Sequence, residues 1–308
     1  MDLKNKVAIF GNVEKKLGHI FFYSLSEQLI TKEKLEENFA KSGLDMDLFP
    51  HTIRPVDAFR RATTECETYG VPYGDCFVNY LIREVACDRD LVLRQVVEEV
   101  VDSKKKRLSF TPDVAKLILN RSSEQLIIEY NQLFQPDPLN PEAVLELISR
   151  AKLLYNQYLT HYTSRAVRNV VIQVLHGMKP TVIRPSGGVY FVQDQYSDDL
   201  DKLVQFIRLL EGQSEAWTIP LVDSEDMRAM ITVKFREQVR SSLMQLSETL
   251  KKENVSSYEI TQSLSRAKET LDAVREYEQA LKTSMEDLEL ECEIIQKQML
   301  VLLEKKVA

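Results

Sequence analysis

From Ile260 to Leu302 the apolar residues recur at spacings of four and three: Ile260, Leu264, Ala267, Leu271, Val274, Leu281, Met285, Leu288, Cys292, Ile295, Met299 and Leu302. With Ile260 at heptad position d, one a slot is polar, Glu278. A seam kept over about six heptads predicts a left-handed coiled coil, read here as one unbroken helix. Before it, Met227, Ile231, Phe235, Val239, Leu243, Leu246 and Leu250 share a face of a second helix, from Asp223 to about Glu253. Ser256 followed by Glu259 has the spacing of a capping box that opens the final helix. The pair predicts an antiparallel helical hairpin whose second arm outruns the first by about 19 residues. The overhang carries Leu288, Cys292, Ile295, Met299 and Leu302 on the seam, with Ile294, Leu300, Val301 and Leu303 outside it. Exposing such side chains costs about 1.5 to 3 kcal/mol each, so these positions are the expected interface of a homo-oligomer, most simply a two-fold dimer.

Upstream the periodicity changes twice. After an apolar start at Val7 to Phe10, residues 1–70 read as helix: Ser24 and Glu27 have capping-box spacing, Leu25, Leu29, Leu35 and Phe39 fall on one side, and Ser42-Gly43 is a stop. A further helix is expected from Val56 to Cys66. Residues 76–130 hold four runs rich in β-branched residues, joined by short turn-forming stretches, and predict an antiparallel meander of four strands. Pro141 then suits the first turn of a helix bearing Val144, Leu145, Ile148, Ala151, Leu154 and Tyr155, and a second helix runs from about Ser164 to Met178. Two short β-runs flank Pro185-Ser186-Gly187-Gly188, a hairpin turn. An amphipathic helix with Leu200, Leu203, Phe206, Ile207 and Leu210 and a strand at Trp217 to Val222 complete a small α/β unit. The expected fold is α+β in four regions: a helical N-terminus (1–70), a meander (71–135), the helices and hairpin of the α/β unit (136–222), and the coiled-coil hairpin (223–308).

Composition narrows what such a chain does. The 308 residues are 44% hydrophobic and 28% charged, ordinary for a folded protein, and 9 Gly with 10 Pro favour helix over a Gly-rich phosphate-binding fold. A net charge of −7 argues against a general electrostatic grip on nucleic acid. Locally, Arg165, Arg168, Lys179 and Arg184 fall on the second helix and hairpin of residues 142–192, in the order found in a winged helix-turn-helix. That gives a nucleic-acid reading beside the leading one. The lysines at 104–106 form a charged hairpin tip, read as solvated. The four cysteines, Cys66, Cys76, Cys87 and Cys292, have no CxxC spacing, the start of the chain is no signal peptide, and no apolar run spans a bilayer, so a reduced, cytoplasmic setting is expected. No phosphate loop, dinucleotide fingerprint, nucleophile elbow or HExxH is present, and the histidines at 19, 51, 161 and 176 stand alone. Asp194, Asp198, Asp199 and Asp201 open a helix, where carboxylates meet its positive end. The expectation is a non-enzyme without cofactor or metal.

VDAFRRAT (56–63), the VDSKKKRLSF turn, RPSGGVYFV (184–192) and IPLVDSEDMRAMI (219–231) resemble an uncharacterised family of bacteria and archaea, often carried by phages and plasmids. The resemblance covers roughly residues 20–245 and implies no activity. It implies that the regions up to the helical hairpin belong together and that the protein is carried on a mobile element. The leading expectation is thus an oligomeric, protein-binding protein that captures a host protein complex or serves as a scaffold.

Overall fold

The computed structural model describes residues 15–136, 140–184, 188–252 and 255–307. The chain enters through β1 (Lys16–Ser24) and β2 (Leu29–Thr31), then α1 (Lys32–Ser42) and α2 (Pro55–Glu65). Strands β3 (Thr68–Tyr73), β4 (Cys76–Cys87), β5 (Leu91–Val101), β6 (Arg107–Asn120) and β7 (Leu126–Tyr130) follow. Next come α3 (Ala143–Thr160), β8 (His161–Thr163), α4 (Ser164–Gly177), β9 (Thr181–Arg184), β10 (Val189–Gln193), α5 (Ser197–Leu209) and β11 (Glu215–Val222). Three helices end the chain: α6 (Glu225–Lys251), α7 (Ser257–Leu281) and α8 (Glu286–Val307). The contacts divide it into two compact units, one of residues 1–28, 37–49 and 168–308, the other of 29–36 and 50–167.

In the first unit an antiparallel sheet runs β11-β1-β10-β9. Phe21, Val192 and Ala216 are buried, as are Leu200, Leu203, Phe206 and Ile207 of α5, which packs along β10 and β11. Phe39 meets the rings of Phe49 and Phe206 edge-on. On the chain's central strand β1, a Cβ at Gly18 would lie 2.2 Å from the Val192 carbonyl oxygen, so only glycine fits there. A side chain bonds to the backbone of each outer strand of the sheet. Arg208 donates to the Ala216 carbonyl on β11, and on β9 Gln238 accepts from the Val182 N–H (2.8 Å) while donating to the Pro180 carbonyl (3.0 Å).

The helices α6, α7 and α8 share one core, and Phe191 joins it from the sheet. Phe235 stacks on Tyr277 with centroids 4.0 Å apart, and Tyr277 meets Phe191 at 6.3 Å. Here the expected architecture is overturned. The final helix does not run on but reverses between Leu281 and Glu286: Lys282 takes a left-handed φ of 53°, and Glu278 accepts the Met285 N–H at 3.0 Å. From α6, Arg236 closes the same turn, donating to Asp287 (2.6 Å) and to the Ser284 carbonyl (2.8 Å). Pairs Arg275–Glu289 and Gln296–Ala267 set α8 antiparallel to α7. The spacing of Leu281, Met285 and Leu288 keeps the heptad phase through the turn, which is why the pattern reads as continuous. The one polar a slot is the residue that caps the reversal.

In the second unit the antiparallel sheet runs β3-β4-β5-β6-β7, one strand more than expected. Phe59 and Ala62 of α2 and Ile148, Ala151 and Tyr155 of α3 pack with Tyr80, Ile82, Val96, Leu117 and Leu119 of the sheet. Arg94, nearly buried, donates to the carbonyls of Arg60 (2.9 Å) and Ile82 (3.0 Å), and burial lowers its pKa. Strands β2 and β8 pair separately.

Two further expectations are corrected. Residues 16–31 are not helical: His19, Phe21 and Tyr23 alternate with Gly18, Ile20 and Phe22 in β1, and β10 and β11 satisfy its two edges. The hairpin after α4 is not a free wing, because β10 pairs with β1 inside the four-stranded sheet. Its turn residues 185–187, the apolar start Val7 to Phe10, and residues 253 and 254 lie outside the described residues. Among the described residues no helix is long and apolar enough to cross a membrane.

Candidate functional site

The first unit holds a cleft of about 770 Å³ bounded by α4, the β9–β10 hairpin, α6 and α7. Its geometry follows from local sequence. Helix α4 ends where Lys179 adopts a left-handed φ of 47° and Pro180 follows, which turns the chain from the helix into β9. Tyr277 donates to the Lys179 carbonyl at 3.0 Å, and Glu276 pairs with the Lys179 ammonium. Glu276 also accepts from Tyr196 (2.8 Å) and Gln195 (3.3 Å). One residue pair on α7 thus fixes the α4–β9 corner and the segment after β10.

Ile172, Leu175, Tyr190, Phe235, Val239 and Ala273 supply apolar lining, and His176, Gln238, Ser242, Arg266, Glu269 and Thr270 supply polar lining. Several polar groups are already engaged. Gln238 holds the β9 edge, Ser265 donates to Glu269 at 3.0 Å, and Thr270 donates to the Arg266 carbonyl at 2.8 Å. The guanidinium of Arg266, which is exposed, pairs with no carboxylate among the described residues. A smaller hollow of about 430 Å³ shares Val182, Gln238 and Ser242 with the cleft, so α6 is lined on both sides of Gln238. Nearby, burial and then the bond to Glu276 push the Tyr196 hydroxyl up to about 12, and burial raises Tyr277 above the ordinary tyrosine range. Both hydroxyls stay protonated donors at neutral pH.

The positions singled out from the sequence fall elsewhere. Leu288, Cys292, Ile295 and Met299 are buried among α6, α7 and α8 of their own chain, and Leu302 packs against that core. They are therefore not side chains offered to a second copy; the reversal at Lys282 removes the overhang that made them seem so. Burial raises the Cys292 thiol to about 11, as expected of a small buried hydrophobe. The outward side of α8 instead shows Leu290, Ile294, Leu300 and Val301. Of the four cations assigned to a winged helix, Arg168 pairs with Glu27 at 2.7 Å and Lys179 with Glu276, while Arg165 and Arg184 are exposed. Among the described residues no three or more His, Cys, Asp or Glu side chains gather as metal ligands.

The cleft's residues are scattered over residues 172–273 and belong to no short motif, so pattern reading passes over them. A match that runs from β1 through α8 decides the relationship. The chain belongs to a family of unknown function, DUF6744. The family's model matches residues 16–308. The match reaches past residue 245, so the three packed helices are part of the DUF6744 unit and not an addition to it. No curated protein and no solved structure matches the chain.

Proposed function

We propose that this DUF6744 chain is a non-enzymatic, cytoplasmic protein-binding protein that holds a segment of a partner protein in the cleft between α4, the β9–β10 hairpin, α6 and α7. The observation that carries the reading is the cleft's make-up: an accessible apolar lining of Ile172, Tyr190 and Ala273 beside the unpaired Arg266. Apolar floors anchor a few side chains of a bound segment, and flanking polar groups fix its register. The four free thiols support a reduced compartment. The setting implied by the family resemblance, a phage or plasmid, makes a host protein complex the first partner to seek. Self-association remains part of the proposal, through the outward residues Leu290, Ile294 and Val301 of α8, which share one helical stripe.

The nucleic-acid reading of residues 142–192 has less support, since two of its four cations are engaged within the chain and its hairpin is built into a sheet. The protein reading is tested by affinity capture from host lysate with the wild type and two cleft variants, Ile172→Arg and Ser242→Trp. A stoichiometric protein captured by the wild type and lost from both variants, with helical content unchanged, is the expected result. A partner retained equally by both variants, or none recovered by the wild type, overturns it.

A further inference from the structure

At one end of the five-stranded sheet, the β5–β6 hairpin reverses in a tight turn. Asp102 accepts the N–H groups of Lys104 and Lys106, both at 2.8 Å, and Lys105 takes a left-handed φ of 63°. The turn's own carboxylate is thereby occupied by backbone, and the side chains of Lys104, Lys105 and Lys106 are exposed with no ion pair among the described residues. Just behind the tip, the register puts Phe77, Val101 and Arg107 in one row across β4, β5 and β6, and Asn79, Glu99 and Phe110 in the next. Leu108, between Arg107 and Ser109, falls at a register shift. Phe77, Leu108 and Phe110 are 37%, 55% and 46% exposed, and the register gathers them behind one hairpin tip. Arg107 is held at 2.5 Å by Glu99 and lies 4.9 Å over the Phe110 ring.

We infer that this face of β4, β5 and β6, with the Lys104–Lys106 tip, is a docking platform for single-stranded nucleic acid. Three exposed ammonium groups without an ion pair, beside two exposed phenyl rings, match a ligand that alternates phosphates with flat, unpaired bases. Paired bases keep their faces covered and cannot stack on Phe77 or Phe110. An anionic membrane fits less well, because the lysines stand outermost, ahead of Leu108 and Phe110, so inserting the apolar residues would drive the charges deeper. With a chain charge of −7, any such binding must come from a local patch, which makes the tip a decisive place to test.

The test is fluorescence anisotropy on the full chain with labelled 15-nucleotide (dT) and (rU) strands, a 15-base-pair DNA duplex, and vesicles of phosphatidylcholine with phosphatidylglycerol. The expected result is binding of one or both single strands in preference to the duplex and vesicles. The two strands distinguish DNA from RNA as the ligand. Three phosphate contacts give a log–log salt slope of about −2, or roughly 20-fold weaker binding between 50 and 200 mM salt. Replacing Lys104, Lys105 and Lys106 by Glu should abolish binding. Phe110→Ala should weaken it by about five- to 150-fold, the loss of one stacked base, with the salt slope unchanged. Because these side chains are exposed, the variants should melt like the wild type. No single-strand binding at 50 mM salt, equal binding of duplex, preference for vesicles, or an affinity untouched by either variant overturns the inference.

Discussion

Replacing Glu278 tests how the helical seam is interrupted. Its carboxylate accepts the Met285 N–H at 3.0 Å, seven residues ahead, at the entry to α8. A hydrogen bond to a charged group is worth about 1.5 to 3 kcal/mol, and loss of a helix cap about 0.5 to 2 kcal/mol. Glu278 is half-buried, and Arg236 holds the same turn independently through Asp287 and Ser284, so the lower part of the range applies. Glu278→Ala is expected to cost about 1 to 2 kcal/mol, or about 2 to 8 °C in melting temperature for a unit of this size. Glu278→Gln keeps an acceptor and should cost less than half as much. Urea unfolding followed at 222 nm gives the global value, and amide exchange gives the local one. The Met285 amide should lose protection in Glu278→Ala and keep most of it in Glu278→Gln. If Met285 exchanges at the same rate in all three proteins, Glu278 does not cap α8 and the reasoning fails.

Further outcomes follow from other contacts. Gly18→Ala should prevent β1 from joining β10, seen as loss of soluble folded protein, whereas a fully stable variant would show that the close approach to Val192 is not real. Tyr277→Phe removes the hydroxyl's bond to the Lys179 carbonyl and should cost about 1 kcal/mol, while Tyr277→Ala opens a cavity among Phe191, Phe235 and α7 and should cost about 3 to 5 kcal/mol by denaturant titration. Gln238→Leu should destabilise the first unit by about 1 to 3 kcal/mol and speed exchange of the Val182 amide, whose acceptor it removes. Tyr196 has a folded pKa raised to about 12, so the stability it contributes is full below its ordinary value and is lost as the pH climbs through about 12. Tyr196→Phe should remove that alkaline component of the stability profile, and an unchanged profile would show that the tyrosine does not carry it.

Much of the fold is legible where one face of an element alone meets a core. The helix at Val56 to Cys66 appears as α2, Ser42-Gly43 ends α1, and Ser256 with Glu259 forms the capping box of α7. Strand β1 was hidden because it is central: its two edges are paired and both faces carry large side chains, so no clean alternation of apolar and polar residues marks it. The reversal at Lys282 was hidden because a left-handed lysine, not Gly or Pro, makes the turn while Leu281, Met285 and Leu288 keep the heptad phase. Glu278 in its a slot was the available signal. The cleft was illegible for a different reason, since residues from Ile172 to Ala273 meet only through tertiary packing. The basic tip at 104–106 was visible in sequence, but its pairing with the rings of Phe77 and Phe110 depends on strand register.

The folding back of α8 along α7 underlies the burial of the seam, and one distance tests it. Gln296 donates to the Ala267 carbonyl at 3.1 Å, across 29 residues. A protein with Cys76 and Cys87 replaced by Ser, and spin labels on cysteines placed at the exposed Lys268 and Lys297, leaves only the buried Cys66 and Cys292 as native thiols. Packed helix axes lie about 8 to 10 Å apart, so pulsed dipolar spectroscopy should find the labels within about 25 Å. A single continuous helix would put them about 44 Å apart at 1.5 Å per residue, and a distribution centred there would contradict the account.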